Sequence, residues 1–191
     1  MNDFLPQGYE VPASNSNYMK LEKGKNRFRI LTSPILGMEY WKTIDSKRTP
    51  IRKHMGVNIP ITELEEDENG ELKQPKHFWA MVCWNVKADK PQILEITQKR
   101  IQKAIRAMAN SEDWGDPREY DIEVERIGEK FTTVYEVRPC PKKKFDEGKK
   151  KMAEDLHINL EALYKGDDPF AREKLTDQDL DEAERILTKH D

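Results

Sequence analysis

Apolar and polar residues alternate over residues 25–32, with Phe28 and Ile30 on one side and Arg27 and Arg29 on the other. That is the period-2 signature of a strand with one basic face. After the Ser33-Pro34 break, residues 37–44 predict a second strand. Residues 77–87, HFWAMVCWNVK, form the most apolar strand of the chain. There Phe78, Ala80, Val82 and Trp84 share one parity, and His77, Trp79, Met81 and Cys83 the other. One of the two tryptophans belongs to the core, and the pattern leaves open which. A turn at 88–91 returns the chain along 92–96. The period then changes: Ile101, Ala104, Ile105 and Met108 recur at helical spacing over 98–110, with Thr97 as N-cap. Asp113-Trp114-Gly115-Asp116-Pro117 ends the helix as a turn, and 120–127 with 131–138 read as a hairpin joined near Gly128-Glu129.

Between these elements the pattern weakens. Residues 45–76 predict a long, mostly irregular connection that opens basic and ends in an acidic turn over 63–70, with a short strand near 55–61. Residues 1–19 read as an extended arm, 20–141 as the folded domain, and 142–191 as an acidic, partly helical tail. Within the tail, 145–156 and 176–189 are helix candidates, the second with Thr176 as N-cap and Leu180, Ala183 and Leu187 on one stripe. No internal repeat occurs. The order of elements predicts a mainly β fold: two strands, a long loop, a hairpin, one helix, then two strands. A five-stranded Greek-key barrel of the OB type has its helix between strands 3 and 4, where this helix falls. An α+β sheet with one covering helix is the plain alternative.

Composition adjusts this picture. The chain has 191 residues, 36% hydrophobic and 36% charged, which predicts one modest core and much solvated chain. No apolar run approaches the ~18 residues of a membrane span. The first residues, MNDFLPQGYEVPASNSNY, lack the basic start and apolar stretch of a signal peptide. Two cysteines, Cys83 and Cys140, suit a reducing cytoplasm. The net charge of −3 conceals segregation. Residues 20–53 hold ten basic and three acidic residues, whereas residues 151–191 hold six basic against twelve acidic. A basic first part with a nucleic-acid partner therefore stays open despite the acidic total.

Candidate chemistry follows from that segregation. Binders of single strands combine cations that track phosphates with aromatic rings that stack on bases. Arg27, Arg29, Lys42, Arg48, Arg52, Lys53 and Lys76 supply the cations; Tyr40 or Trp41, Trp79 and Tyr135 supply the rings. Tyr40 and Trp41 face opposite sides of a strand, so only one of them is a stacking platform. The loop 45–76 is expected to present its basic part to the ligand and hold its acidic tip away. No metal site is expected from the scattered His54, His77, Cys83 and Cys140, and no cofactor motif occurs. An enzyme is not expected either; Asp113 and Asp116 could serve as metal ligands of a nuclease, but a turn explains them more simply. The competing class is a protein–protein module acting through the acidic C-terminal helix.

Residues 17–31, NYMKLEKGKNRFRIL, resemble the start of a group of bacteriophage single-stranded DNA-binding proteins, which begin with a polar arm and a first strand of this kind. Three further stretches are similar to that group: FWAMVCWN at 78–85, ILEITQ at 93–98, and DWGDP at 113–117 followed by Tyr120-Asp121-Ile122. Tyr135-Glu136-Val137-Arg138-Pro139 fits as well. The resemblance covers roughly 17–141. It implies an OB fold and sequence-independent binding of single-stranded DNA in phage replication, recombination or repair, in the host-cell cytoplasm. It also implies an acidic C-terminal tail that contacts phage or host replication proteins. One relative carries a zinc-binding insertion, and no matching cysteine and histidine set occurs here.

Overall fold

The structure is a computed structural model that describes residues 16–171. It is mainly β. Eight strands form one open mixed sheet: β1 (Tyr18–Met19), β2 (Gly24–Ile30), β3 (Ile35–Ile44), β4 (Lys47–His54), β5 (Lys76–Asn85), β6 (Lys90–Ile96), β7 (Asp121–Ile127) and β8 (Val134–Pro139). The main path runs β1-β6-β5-β2-β7-β8, with β3 joining β5 to β4. Only β1 with β6 is parallel. Helix α1 (Lys99–Ala109) lies between β6 and β7, and α2 (Glu147–Glu154) and α3 (Ala162–Lys165) follow β8.

Strand β5 organises the sheet. Its first half pairs with β3 (Gly37 opposite Phe78) and its second half with β2 (Ile30 opposite Cys83). Two strands thus lie end to end along one edge of β5, while β6 follows the other edge. Because β5 is apolar on both parities, both faces must be covered. On one face Met81 and Cys83 join Phe28, Ile30, Leu94, Ile96, Ile122 and Val124, closed by Ile101, Ile105 and Met108 of α1. On the other, Phe78, Ala80, Val82 and Ile93 pack under Leu160 and Leu163.

The helix stripe puts Ile101, Ile105 and Met108 one above another. Buried Gln102 fastens α1 to the sheet, its amide donating to the carbonyls of His77 and Ile96. The helix begins at Lys99 with Gln98 as N-cap, one residue later than the sequence predicts; the Gln98 side chain accepts the Thr97 amide.

Three further expectations are corrected. The basic stretch 47–54 is a strand, hairpinned to β3 through Asp45 and Ser46, both at positive φ (48° and 63°). That is the two-residue turn whose twist matches flanking strands. Residues 55–60 hold no strand, and a 3-10 turn at Ile61–Glu63 takes its place. Of the tail, residues 142–171 pack on the sheet, with α3 against β4 and α2 against β6. The predicted helix at 176–189 lies outside the described residues. Gly37 has a local reason: a side chain there would overlap the Lys53 carbonyl and the Phe78 ring.

A buried ion cluster closes the outer face. Arg52 pairs with Glu39 at 3.2 Å and Glu95 at 2.7 Å, and its side chain is only 10% exposed. Burial pushes the Glu39 carboxyl above its usual range, Arg52 opposes this, and Glu95 adds to it. Substituting Arg52→Met leaves two carboxylates facing each other, and is expected to cost about 3–5 kcal/mol. Urea unfolding at neutral pH measures this. The loss should shrink as the pH falls and Glu39, whose carboxyl burial already holds above its usual range, takes up a proton.

Candidate nucleic-acid interface

The β3–β4 hairpin extends past the end of β5, so its outer half is covered by no neighbouring strand on that side. Trp41 stands there with 40% of its surface exposed. The Arg48 guanidinium lies over its ring, 5.6 Å from the centroid, a cation–π contact that holds the indole in place while leaving it solvated. Lys47, Lys53 and Lys76 are exposed on the same pair of strands and the start of β5. Among the described residues, no carboxylate lies within ion-pair distance of these three lysines or of Arg48.

Lys42 differs. Its ammonium meets Glu63 at 2.7 Å, and the next amide, Thr43, donates to Glu65 at 2.6 Å. Both carboxyls are held below their usual range, Glu63 by the Lys42 hydrogen bond and Glu65 by Thr43. The start of the acidic run therefore docks on the hairpin, where the sequence reading held it away. Beyond it the chain turns back through Asp67, whose carboxylate accepts the amides of Asn69 and Glu71.

Several expected contact residues are structural. Arg29 is 3% exposed. It pairs with Asp121 at 2.8 Å, donates to the Lys143 carbonyl at 3.0 Å, and lies over Phe145 at 5.3 Å. Arg27 is exposed on the same strand face, but shares Asp121 with Arg29 at 2.8 Å. The basic face predicted for this strand is thus pinned by one carboxylate and roofed by residues 143–149. Arg52 is engaged in the buried cluster, and Tyr40 is buried. Tyr135 packs half-buried against the core. Of the two tryptophans on β5, Trp84 is buried under Phe145, with the Lys149 ammonium 4.8 Å from its ring. Trp79 remains partly exposed. Its indole N–H donates to His77 Nε2 at 3.0 Å, and His77 Nδ1 lies 2.9 Å from the Gly37 carbonyl. An indole can only donate and a carbonyl can only accept, so the geometry matches the His77 tautomer that carries its proton on Nδ1.

Of the residues the sequence singles out, Trp41, Arg48, Lys53, Lys76 and Trp79 keep solvent-exposed surface, and Lys42 is engaged by Glu63. One aromatic escaped the sequence reading. Phe131 is fully exposed at the tip between β7 and β8, in a 3-10 turn closed by reciprocal bonds of Glu129 and Thr132. Periodicity places it inside a strand; Lys130 at φ 51° breaks that strand, which resumes only at Val134. Asp116 grips Arg118 through both oxygens, the work of a turn. Both cysteines are free, and burial pushes the Cys83 thiol up. Among the described residues, no group of three or more His, Cys, Asp or Glu side chains is arranged to hold a metal ion. No helix among them is long and apolar enough to cross a membrane. No known protein family, curated protein or solved structure matches the chain.

Arg29 and Arg27 should separate cleanly on substitution. Arg29→Ala is expected to cost about 3 kcal/mol, because Asp121 and the Lys143 carbonyl lose a buried partner. Limited trypsinolysis should then cut faster at Lys143 and Lys144. Arg27→Ala should change unfolding by less than about 1 kcal/mol, the range of exposed pairs.

Proposed function

We propose that this protein binds single-stranded DNA without sequence preference, and that it catalyses no reaction. The observation that carries this reading is Trp41: an exposed indole braced by Arg48 on a projecting hairpin, near Lys47, Lys53 and Lys76, which no carboxylate among the described residues meets at ion-pair distance. A flat solvated ring stacks on any base, and unpaired cations attract any phosphate, which favours binding without sequence readout. A mainly β sheet with α1 between β6 and β7 and packed on one face is compatible with an OB-type arrangement, in which strand faces and hairpin loops carry oligonucleotides. The resemblance over residues 17–141 supports a role in phage replication, recombination or repair in the host cytoplasm. The acidic residues after 171 are the segment proposed to meet replication proteins. A protein–protein module is the second reading, favoured by Phe131 exposed beside Ile127 and Val134. Partner capture without strand binding would select it.

The test is a fluorescence titration with an oligo(dT) of ~30 nucleotides at two salt concentrations. Tryptophan quenching is expected, with an affinity that falls as salt rises. Trp41→Ala should lose about 1–3 kcal/mol of binding. Arg48→Ala should weaken binding and reduce the salt slope by about one. No quenching and no binding at low salt would overturn the reading.

A further inference from the structure

Helix α1 carries more charge than its place in the core requires. Lys99, Lys103 and Arg106 recur at i, i+4 and i+7, so they form one line along the exposed side, opposite Ile101, Ile105 and Met108. The helix contains no aspartate or glutamate. Among the described residues, no carboxylate lies within ion-pair distance of these three cations. Like charges at helical spacing repel.

Beside this line lies an apolar slot of about 260 Å³. Trp79, Pro34 and Pro117 line it, with Met81 and Ile105 contributing further apolar wall and Arg106 at its rim. Arg118 also reaches the slot, but Asp116 chelates it. Arg106 is therefore the cation left to meet a ligand. The volume falls just below the ~300–1,000 Å³ of pockets that take whole small molecules; it suits a single flat ring. The strand register links slot and hairpin: Lys53 lies opposite Met38, and Met38 opposite His77, on the sheet face that carries Trp79. This face is opposite that of Trp41.

We propose that the slot is a socket for one nucleobase of the bound strand, with Arg106, Lys103 and Lys99 taking the adjacent phosphates. The proposal rests on the single-strand reading above and adds a second contact to it. Trp79, Pro34 and Pro117 offer apolar walls to the base, the Asp116 carboxylate that also lines the slot is engaged by Arg118, and Lys99, Lys103 and Arg106 offer cations to the backbone. A flexible strand passing over the hairpin edge reaches both Trp41 and the socket.

Two surface variants separate base from phosphate. Ala109→Phe lines the slot with an extra ring and changes no charge. Lys103→Glu with Arg106→Glu reverses the cationic line. Each is titrated with oligo(dT) and with an abasic oligodeoxynucleotide of the same length, after circular dichroism has confirmed that the thermal midpoint is kept. Ala109→Phe should weaken oligo(dT) binding by at least about fivefold, as loss of one stacked base requires, and leave abasic binding unchanged. The double reversal should weaken both probes at least about tenfold and flatten the salt slope by about two. Wild-type binding that Ala109→Phe leaves intact overturns the socket, and binding that the double reversal leaves intact overturns the phosphate track. Failure of the wild type itself to bind oligo(dT) at low salt overturns the single-strand reading instead, so the two failures are distinguishable.

Discussion

Strand β5 has no polar face to offer solvent, and the arrangement of the rest follows from that. Phe78, Ala80 and Val82 point one way, Met81 and Cys83 the other, and all five are buried. Covering a two-faced apolar strand takes a layer on each side. The chain supplies α1 on the inner face and the segment from 143 to 171 on the outer face. The second layer explains why the folded unit extends beyond β8. Without Leu160 and Leu163, the face carrying Phe78 and Ile93 would stand open to water.

That outer layer also decides which cations are available. The strand face that carries Arg27 and Arg29 is the one residues 143–149 cross, so Phe145 settles over Arg29 and beside Trp84. A guanidinium taken out of water needs a carboxylate and further acceptors; Asp121 and the Lys143 carbonyl provide them. On the hairpin no such layer reaches Trp41 or Arg48. Arginine is therefore a structural tie at position 29 on β2 and a solvated cation at position 48 on β4.

Local pattern was enough to reveal much of the frame. The parity of Phe28 and Ile30, the doubly apolar β5, and the stripe of Ile101, Ile105 and Met108 each reflect a period that sequence displays directly. The β3–β4 hairpin was not legible. Its turn is Asp45-Ser46 in place of the glycine-bearing pairs that announce such turns, and β4 carries Lys47, Arg48, Arg52 and Lys53 with few apolar residues to mark a buried side. The fate of Arg29 was hidden for a different reason. Its partners Asp121 and Lys143 lie 92 and 114 residues away, and no window along the chain contains them. Trp41 and Trp79 were legible as aromatic; their exposure depends on which neighbours end early. Phe131 was misplaced because one positive φ at Lys130 interrupts an otherwise alternating run.

Charge placement shows the same division. Acidic partners exist for Lys23, Lys25, Arg27, Arg29 and Arg52, all within or beside the core sheet. They are supplied by β3, β6, β7 and a turn: Glu39, Glu95, Asp121, Glu123 and Glu129. The hairpin and α1 contain few carboxylates of their own; Glu63 and Glu65 from the following loop reach the outer half of the hairpin, at Lys42 and Thr43. Surface ion pairs contribute little to stability, so leaving these cations unpaired costs the fold little. What it changes is the field: unneutralised lysines and arginines on protruding elements raise the local concentration of polyanions and speed their encounter. A protein whose total charge is −3 can in this way present a cationic surface, provided its acids are spent inside the sheet and along the far end of the chain.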